Sequence, residues 1–269
     1  MLGILIAVIV IIALYVVSVV GRVGRAGVTV LRGWYYAHRG LHGNGIAENG
    51  MTAFSEAKKA GYGIEFDVHL MKDGNLAVIH DSKLERTVGK EGRIEDLVSS
   101  DLSSCYLEGT NDTIPLFQEV LDLYNGEAPL IIELKTSGNN VAQLCKNVCA
   151  ALDNYKGIFC LESFDPRCIL WLRKNRPDII RGQLTENYFV SDTSVIPWFL
   201  KFALKHQIFN FLTYPDFVAY RFSDRNTISN LLVRKLWGVQ GVTWTLKTEA
   251  DFDTAVSENW IPIFEGFRP

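Results

Sequence analysis

The sequence predicts an α/β protein: a (β/α)8 TIM barrel with a small β-hairpin excursion after the second strand, preceded by one N-terminal transmembrane helix. Three observations predict it. An uncharged apolar run opens the chain. Short β-rich runs then alternate with helical patterns, the signature of βαβ units. Charged side chains gather at the ends of those runs, where such barrels build their sites.

Residues 2–20 (LGILIAVIVIIALYVVSVV) carry no charge and come close to the ~20 residues a helix needs to cross a bilayer. Only Met1 precedes them, so the basic n-region of a cleaved secretory signal is missing. Arg22, Arg25 and Arg32 come after the run. The positive-inside rule then puts everything beyond residue 21 in the cytoplasm. Five cysteines without a CxxC pair agree with a reducing compartment. Cys145 and Cys149 read as packing residues of one helix. The expected organisation is a membrane anchor over 1–21, a Gly- and Arg-rich juxtamembrane linker over 22–33, and a barrel over 34–269. That describes a single-pass membrane protein with a cytoplasmic catalytic domain.

Nine strands are expected: Tyr35–Arg39, Gly63–His69, Leu76–His80, Leu130–Glu133, Gly157–Glu162, Ile179–Leu184, Phe217–Arg221, Gly241–Leu246 and Ile261–Glu265. One of them cannot be a parallel neighbour. A parallel crossover needs a dozen or more residues, and only a short turn centred on Asp73-Gly74 separates Leu70 from Leu76. Asp-Gly is a hairpin signal. Leu76–His80 is therefore expected to run antiparallel to Gly63–His69 and to bring His80 back toward Asp67.

The chemistry concentrates between His38 and Asp81. Glu65 and Asp67 are one residue apart, so a strand points both to one face. Paired hard oxygens there suit Mg²⁺ or Ca²⁺. Arg39 offers a planar fork for two phosphate oxygens. His38 and His80 are candidate proton carriers. Glu133 and Lys135 share a strand face, and Glu162 ends another strand. A net charge of −3 gives no reason to expect a nucleic-acid partner.

In order, the chain reads His38-Arg39-Gly40, Glu48-Asn49, Glu65-Phe66-Asp67, Lys72-Asp73-Gly74, His80-Asp81, Glu133-Leu134-Lys135, Ser163-Phe164-Asp165 and Trp244-Thr245. This ordered set, over residues 34–269, resembles the glycerophosphodiester phosphodiesterases. The resemblance implies metal-dependent hydrolysis of glycerophosphodiesters to sn-glycerol 3-phosphate and an alcohol. It implies Glu65, Asp67 and Glu133 as ligands of a divalent cation, Mg²⁺ or Ca²⁺. It implies His38 and His80 as the acid–base pair, with either one as the base, and Arg39 and Lys135 as the phosphate-binding residues. Glu162 and Trp244 are candidates for the substrate pocket, and Glu48 and Asn49 read as loop-fixing residues, substrate contact in the pocket being the alternative. The attacking group is water or the neighbouring glycerol hydroxyl.

The chain departs from the family's Pro-Glu-Asn-Thr, reading Ala47-Glu48-Asn49-Gly50. Proline's rigidity and a capping hydroxyl are lost, and Thr52 is expected to replace the cap. His69 is a further candidate at the mouth, Asp81 is expected to orient its loop, and His42 and His206 read as surface residues. Residues 195–212 are apolar and aromatic. They are expected to form a barrel helix with a broad buried face, the alternative being an outer face in the headgroup layer. The expected partners are a small-molecule glycerophosphodiester or lysophospholipid and, through residues 2–20, a membrane. Lysophospholipase D-type cleavage is the alternative reaction, and a non-catalytic lipid-binding protein the alternative class.

Overall fold

A computed structural model describes residues 1–22, 24, 26–191 and 196–269. Nine strands form one sheet: β1 (Tyr36–His38), β2 (Gly63–Leu70), β3 (Leu76–Val78), β4 (Leu130–Lys135), β5 (Phe159–Ser163), β6 (Arg181–Thr185), β7 (Phe217–Arg221), β8 (Gln240–Leu246) and β9 (Trp260–Phe264). Eight of them close a parallel barrel, because β1 pairs with both β2 and β9. The exception is β3. It lies antiparallel on β2, with Val68 opposite Val78 and Leu70 opposite Leu76, as the short Asp73-Gly74 turn requires. Observed boundaries lie within two residues of the expected ones, and Phe217–Arg221 matches at both ends. The first strand stops at His38 because Arg39 takes φ 53°, and its N–H then bonds the Glu65 carbonyl at 2.8 Å.

The strands explain where core ends and site begins. On β4, Ile131 and Glu133 share a face. On β5, Cys160 and Glu162 do the same. Ile131 and Cys160 join Tyr36, Leu184, Phe217, Val242 and Ile261 in a buried apolar cluster. The carboxylates stand one layer above it, at the C-terminal ends. A larger cluster packs the outer strand faces against helices that include Val141–Leu152 and Pro166–Asn175. Cys145, Cys149 and Cys168 are buried there as free thiols, so the helical pair is a packing element. Gly182 of β6 has no room for a side chain, since a Cβ would lie 2.0 Å from the Phe217 ring.

The N-terminal expectation is corrected. The helix covers Leu2–Ser18 rather than 2–20. Its 17 residues span about 25 Å, short of a ~30 Å hydrocarbon core. Among the described residues, no helix is long and apolar enough to cross a membrane. The helix ends early because the barrel captures the next residues. Val19 is buried with Val218, Val233 and Val239, and Asn210 Nδ2 donates to its carbonyl.

The segment expected as a linker closes the floor of the barrel. Val28 and Leu31 are buried in the inner cluster, and Leu31's carbonyl accepts from Tyr36 Oη at 3.0 Å. Arg22 N–H bonds Pro215's carbonyl, and Arg32 Nε donates to Gln240 Oε1 at 2.7 Å. These two arginines are thus engaged by the barrel; Arg25 lies outside the described residues.

Residues 195–212 do not form one helix with a broad buried face. Residue 195 lies outside the described set, and the rest gives Trp198–Lys205 and Asn210–Thr213. Trp198, Phe199 and Phe202 are exposed.

Candidate active site

The strand ends deliver the acids to one place. Glu65, Asp67 and Glu133 are buried, and one oxygen from each lies within 4.8 Å of the others. Lys135 Nζ sits among them, 3.0 Å from Asp67 Oδ1 and 2.8 Å from Glu133 Oε1. Arg39 Nε is 3.5 Å from Asp67 Oδ2. His38, His80, Glu162, Phe164 and Trp244 line the same cleft.

The charges do not balance inside this cluster. Burial pushes the Glu65 carboxyl well up, and its neighbours Asp67, Glu133 and Glu162 push it further. Burial raises Glu133 to about 7 despite the opposing pull of Lys135. Glu162 is also raised, by burial first and then by Glu133. Asp67 goes the other way: burial would raise it, but Lys135, His80, Arg39 and the Asn49 amide together hold it well below the carboxylate range. Lys135 stays charged because Asp67 and Glu133 outweigh its own burial. Among the described residues, Glu65 Oε2, Glu162 Oε2 and Asn49 Oδ1 are buried without a hydrogen-bond partner. Orphaned hard oxygens beside a carboxylate trio fit a hard divalent cation. Either Mg²⁺ or Ca²⁺ satisfies that chemistry.

Both histidines are backed by a carboxylate on Nδ1. His80 Nδ1 is 2.6 Å from Asp81 Oδ1. His38 Nδ1 is 2.5 Å from Glu265 Oε2. Each ring therefore leaves Nε2 for the cleft. Burial depresses both rings, His80 to about 4 with help from the Lys135 charge.

Glu48 and Asn49, expected to fix their loop, contact the site's own side chains. Glu48 Oε1 accepts from Arg39 Nη1 at 3.0 Å and from Arg86 Nη2 at 2.6 Å. Asn49 Nδ2 donates to Asp67 Oδ2 at 2.9 Å. Their loop is pinned by the Asn49 N–H to the Arg39 carbonyl, with Asn49 itself at φ 55°. Such backbone is uncommon for non-glycine residues and clusters at functional sites. Thr52 binds Asp112 rather than capping its helix, whose N-cap is Gly50. Trp244 stands edge-on to Phe164 at 5.6 Å and forms an aromatic wall.

His69 is not at the mouth. Its Nδ1 pairs with Glu95 at 2.9 Å and its Nε2 with the His80 carbonyl at 3.1 Å, so it braces the His80 loop. His42 lies 3.8 Å from Glu265 and is not a surface residue. The His206 ring packs at a tilt against Phe202, with ring centroids 4.5 Å apart. Sequence reasoning missed Glu265 and Arg86. Arg86 bridges Glu48 and Asp81. Glu265 carried a usable signal, since it ends the last of the expected strands as Glu162 ends an earlier one.

A family model described as the glycerophosphoryl diester phosphodiesterase family matches residues 38–264. The chain belongs to that family. A glycerophosphodiester phosphodiesterase of Bacillus altitudinis is 47% identical over 111 residues, 38% of this chain and 45% of that protein. A lysophospholipase D of Rattus norvegicus is 33% identical over 122 residues, 40% of this chain and 38% of its own length. The chain thus spans about half the length of the curated relatives it matches. Among solved structures, an Oleispira antarctica phosphodiesterase bound to its product sn-glycerol-3-phosphate matches with TM-score 0.71 at 20% identity, covering 89% of this chain and 94% of that one. One from Silicibacter pomeroyi gives 0.72 at 20% identity, covering 90% and 94%. At that identity the likeness speaks to the fold.

Proposed function

We propose that this family member hydrolyses glycerophosphodiesters to sn-glycerol 3-phosphate and an alcohol. One observation carries the reading: two imidazoles, each backed by a carboxylate, share a cleft with three clustered acids, Arg39 and Lys135. Glu65, Asp67 and Glu133 would hold a divalent cation, Mg²⁺ or Ca²⁺, which when bound supplies positive charge against the phosphate oxygens. Arg39 and Lys135 add fixed donors for the same oxygens. The oxygen of water, or of the neighbouring glycerol hydroxyl, bonds to phosphorus as its proton passes to Nε2 of one histidine. The phosphorus–oxygen bond to the alcohol breaks, and the leaving oxygen takes a proton from Nε2 of the other. Where the glycerol hydroxyl has attacked, water then adds to the phosphorus of the resulting cyclic phosphate. The bond to that hydroxyl oxygen breaks, giving sn-glycerol 3-phosphate. Phe164 and Trp244 wall off solvent on one side.

The test is glycerol 3-phosphate release from glycerophosphocholine by the full chain with Mg²⁺, Ca²⁺ or chelator, beside His38→Ala and Glu65→Ala. Cation-dependent release, lost in both variants, is expected. A folded, cation-loaded protein that releases nothing from any glycerophosphodiester would overturn the reading.

A second reading, cleavage of lysophospholipids, is favoured by the Phe164–Trp244 wall and by similarity to the rat lysophospholipase D. Preference for lysophosphatidylcholine over glycerophosphocholine would select it. A lipid surface would also suit the N-terminal helix, which has no charged residue and buries none. Trp198 and Phe199, exposed beside Lys201, suit the same surface. Sedimentation of the full chain with phospholipid vesicles, abolished by Ile6→Lys and Ile9→Lys together, is expected. Binding that survives both charges would exclude the helix as the contact.

A further inference from the structure

We propose that Glu265 is a positioning residue: its carboxylate fixes the proton of His38 on Nδ1, so that Nε2 offers its lone pair to the reacting oxygen. The proposal rests on the diester reading above and extends it to a residue outside the motifs of the sequence.

Geometry carries it. Glu265 is the first residue beyond β9, and its N–H bonds the Leu246 carbonyl at 2.9 Å, tying it to the end of β8. Oε2 lies 2.5 Å from His38 Nδ1, and Oε1 lies 2.8 Å from Lys247 Nζ. His42 Nε2 approaches at 3.8 Å. An ionised carboxylate can only accept hydrogen bonds. The His38 nitrogen facing it must therefore be the donor. In a neutral ring the other nitrogen is then an acceptor. That nitrogen, Nε2, stands 3.8 Å from Glu65 Oε2, an oxygen with no hydrogen-bond partner. His38, His42 and Lys247 hold the Glu265 carboxyl far below its usual range, and burial lowers the His38 pKa against the opposing pull of Glu265.

The simpler reading is that Glu265 only pairs with Lys247. Lys247 is two-thirds exposed, and such pairs contribute little. The His38 contact is the sheltered one, with side chains 12% and 20% exposed. His80 obtains the same arrangement from Asp81, its neighbour in sequence. For His38 the carboxylate comes from 227 residues away. The last strand therefore sets the proton position of a residue on the first, and the two strands meet only where the barrel closes.

The test reads the ¹⁵N shifts of the His38 imidazole in the full chain, wild type and Glu265→Gln, beside kcat and KM. The amide keeps the shape of the carboxylate and removes its charge. Wild type should carry the proton on Nδ1, and the variant should mix the two tautomers. Its kcat should fall about 10–100-fold, as losses of orienting partners do, with KM changed by less than about twofold. A wild-type ring protonated on Nε2 overturns the proposal. So does a variant in which only one readout, tautomer or kcat, moves, or neither. If the variant does not fold, the wild-type spectrum still decides. The spectrum needs no turnover, so failure to hydrolyse any diester would count against the proposed reaction and leave the Nδ1 assignment standing.

Discussion

Removing one charge from the acid cluster should stabilise the cation-free protein, and only above a certain pH. The perturbation is Glu133→Gln. In the folded chain burial raises the Glu133 carboxyl from 4.5 to about 7. A carboxyl raised by folding binds its proton more tightly in the folded state. Its contribution is therefore favourable below 4.5 and is lost as pH climbs to about 7. At about 1.4 kcal/mol per pH unit, the interval from 4.5 to about 7 is worth ~3 kcal/mol. For a chain of 269 residues that corresponds to roughly 6 °C in Tm. The assay is thermal unfolding in chelator at pH 4 and pH 8. The variant should match wild type at the lower pH and gain ~3 kcal/mol on it at the higher. Comparing the two proteins cancels the opposite trend from His80, which is held neutral by the fold. Added divalent cation should reverse the order, because wild type alone keeps all three carboxylates. A difference that does not change with pH, or a variant less stable than wild type at pH 8 in chelator, would refute the reasoning.

Two further outcomes are expected of the same structure. His80→Asn should lower diester turnover by about 10²–10⁴-fold with little change in Tm, since the ring is part-exposed and its loop is held by Arg86 and His69; turnover and unfolding measured together check this. Gly182→Ala should cost about 1–3 kcal/mol by overpacking, because its Cβ would meet the Phe217 ring at 2.0 Å; denaturant unfolding reads it, and an unchanged midpoint would mean that the ring moves aside.

Much of the barrel could be read from alternation alone, because β-rich runs separated by helical patterns admit few closures. β3 shows this well: five residues around Asp73-Gly74 leave no room for a crossover, so an antiparallel excursion is forced. The acids at strand ends were equally visible, since Glu65, Asp67 and Glu133 stand where a packed core would carry Val, Ile or Leu. What escaped depends on contacts distant in sequence. Glu265 is an ordinary terminal glutamate until closure sets it against His38. Glu48 reads as a loop-fixing residue, and only the fold shows that it does so through Arg39 and Arg86. The GRVGRAGVTVLRG stretch has the composition of a flexible tether. Two of its apolar residues, Val28 and Leu31, gain a buried floor only when the barrel exists to receive them.

That floor has a mechanical consequence. Val19, Val28 and Leu31 grip the barrel at its N-terminal end, while the histidines and acids stand at the opposite end of the same strands. Five-residue strands of about 3.3 Å rise per residue separate the two by roughly 15 Å. A load applied to the N-terminal helix is therefore taken up by the base of the barrel. The rim can hold its sub-ångström geometry while the helix is pulled, bent or held fast by whatever it contacts.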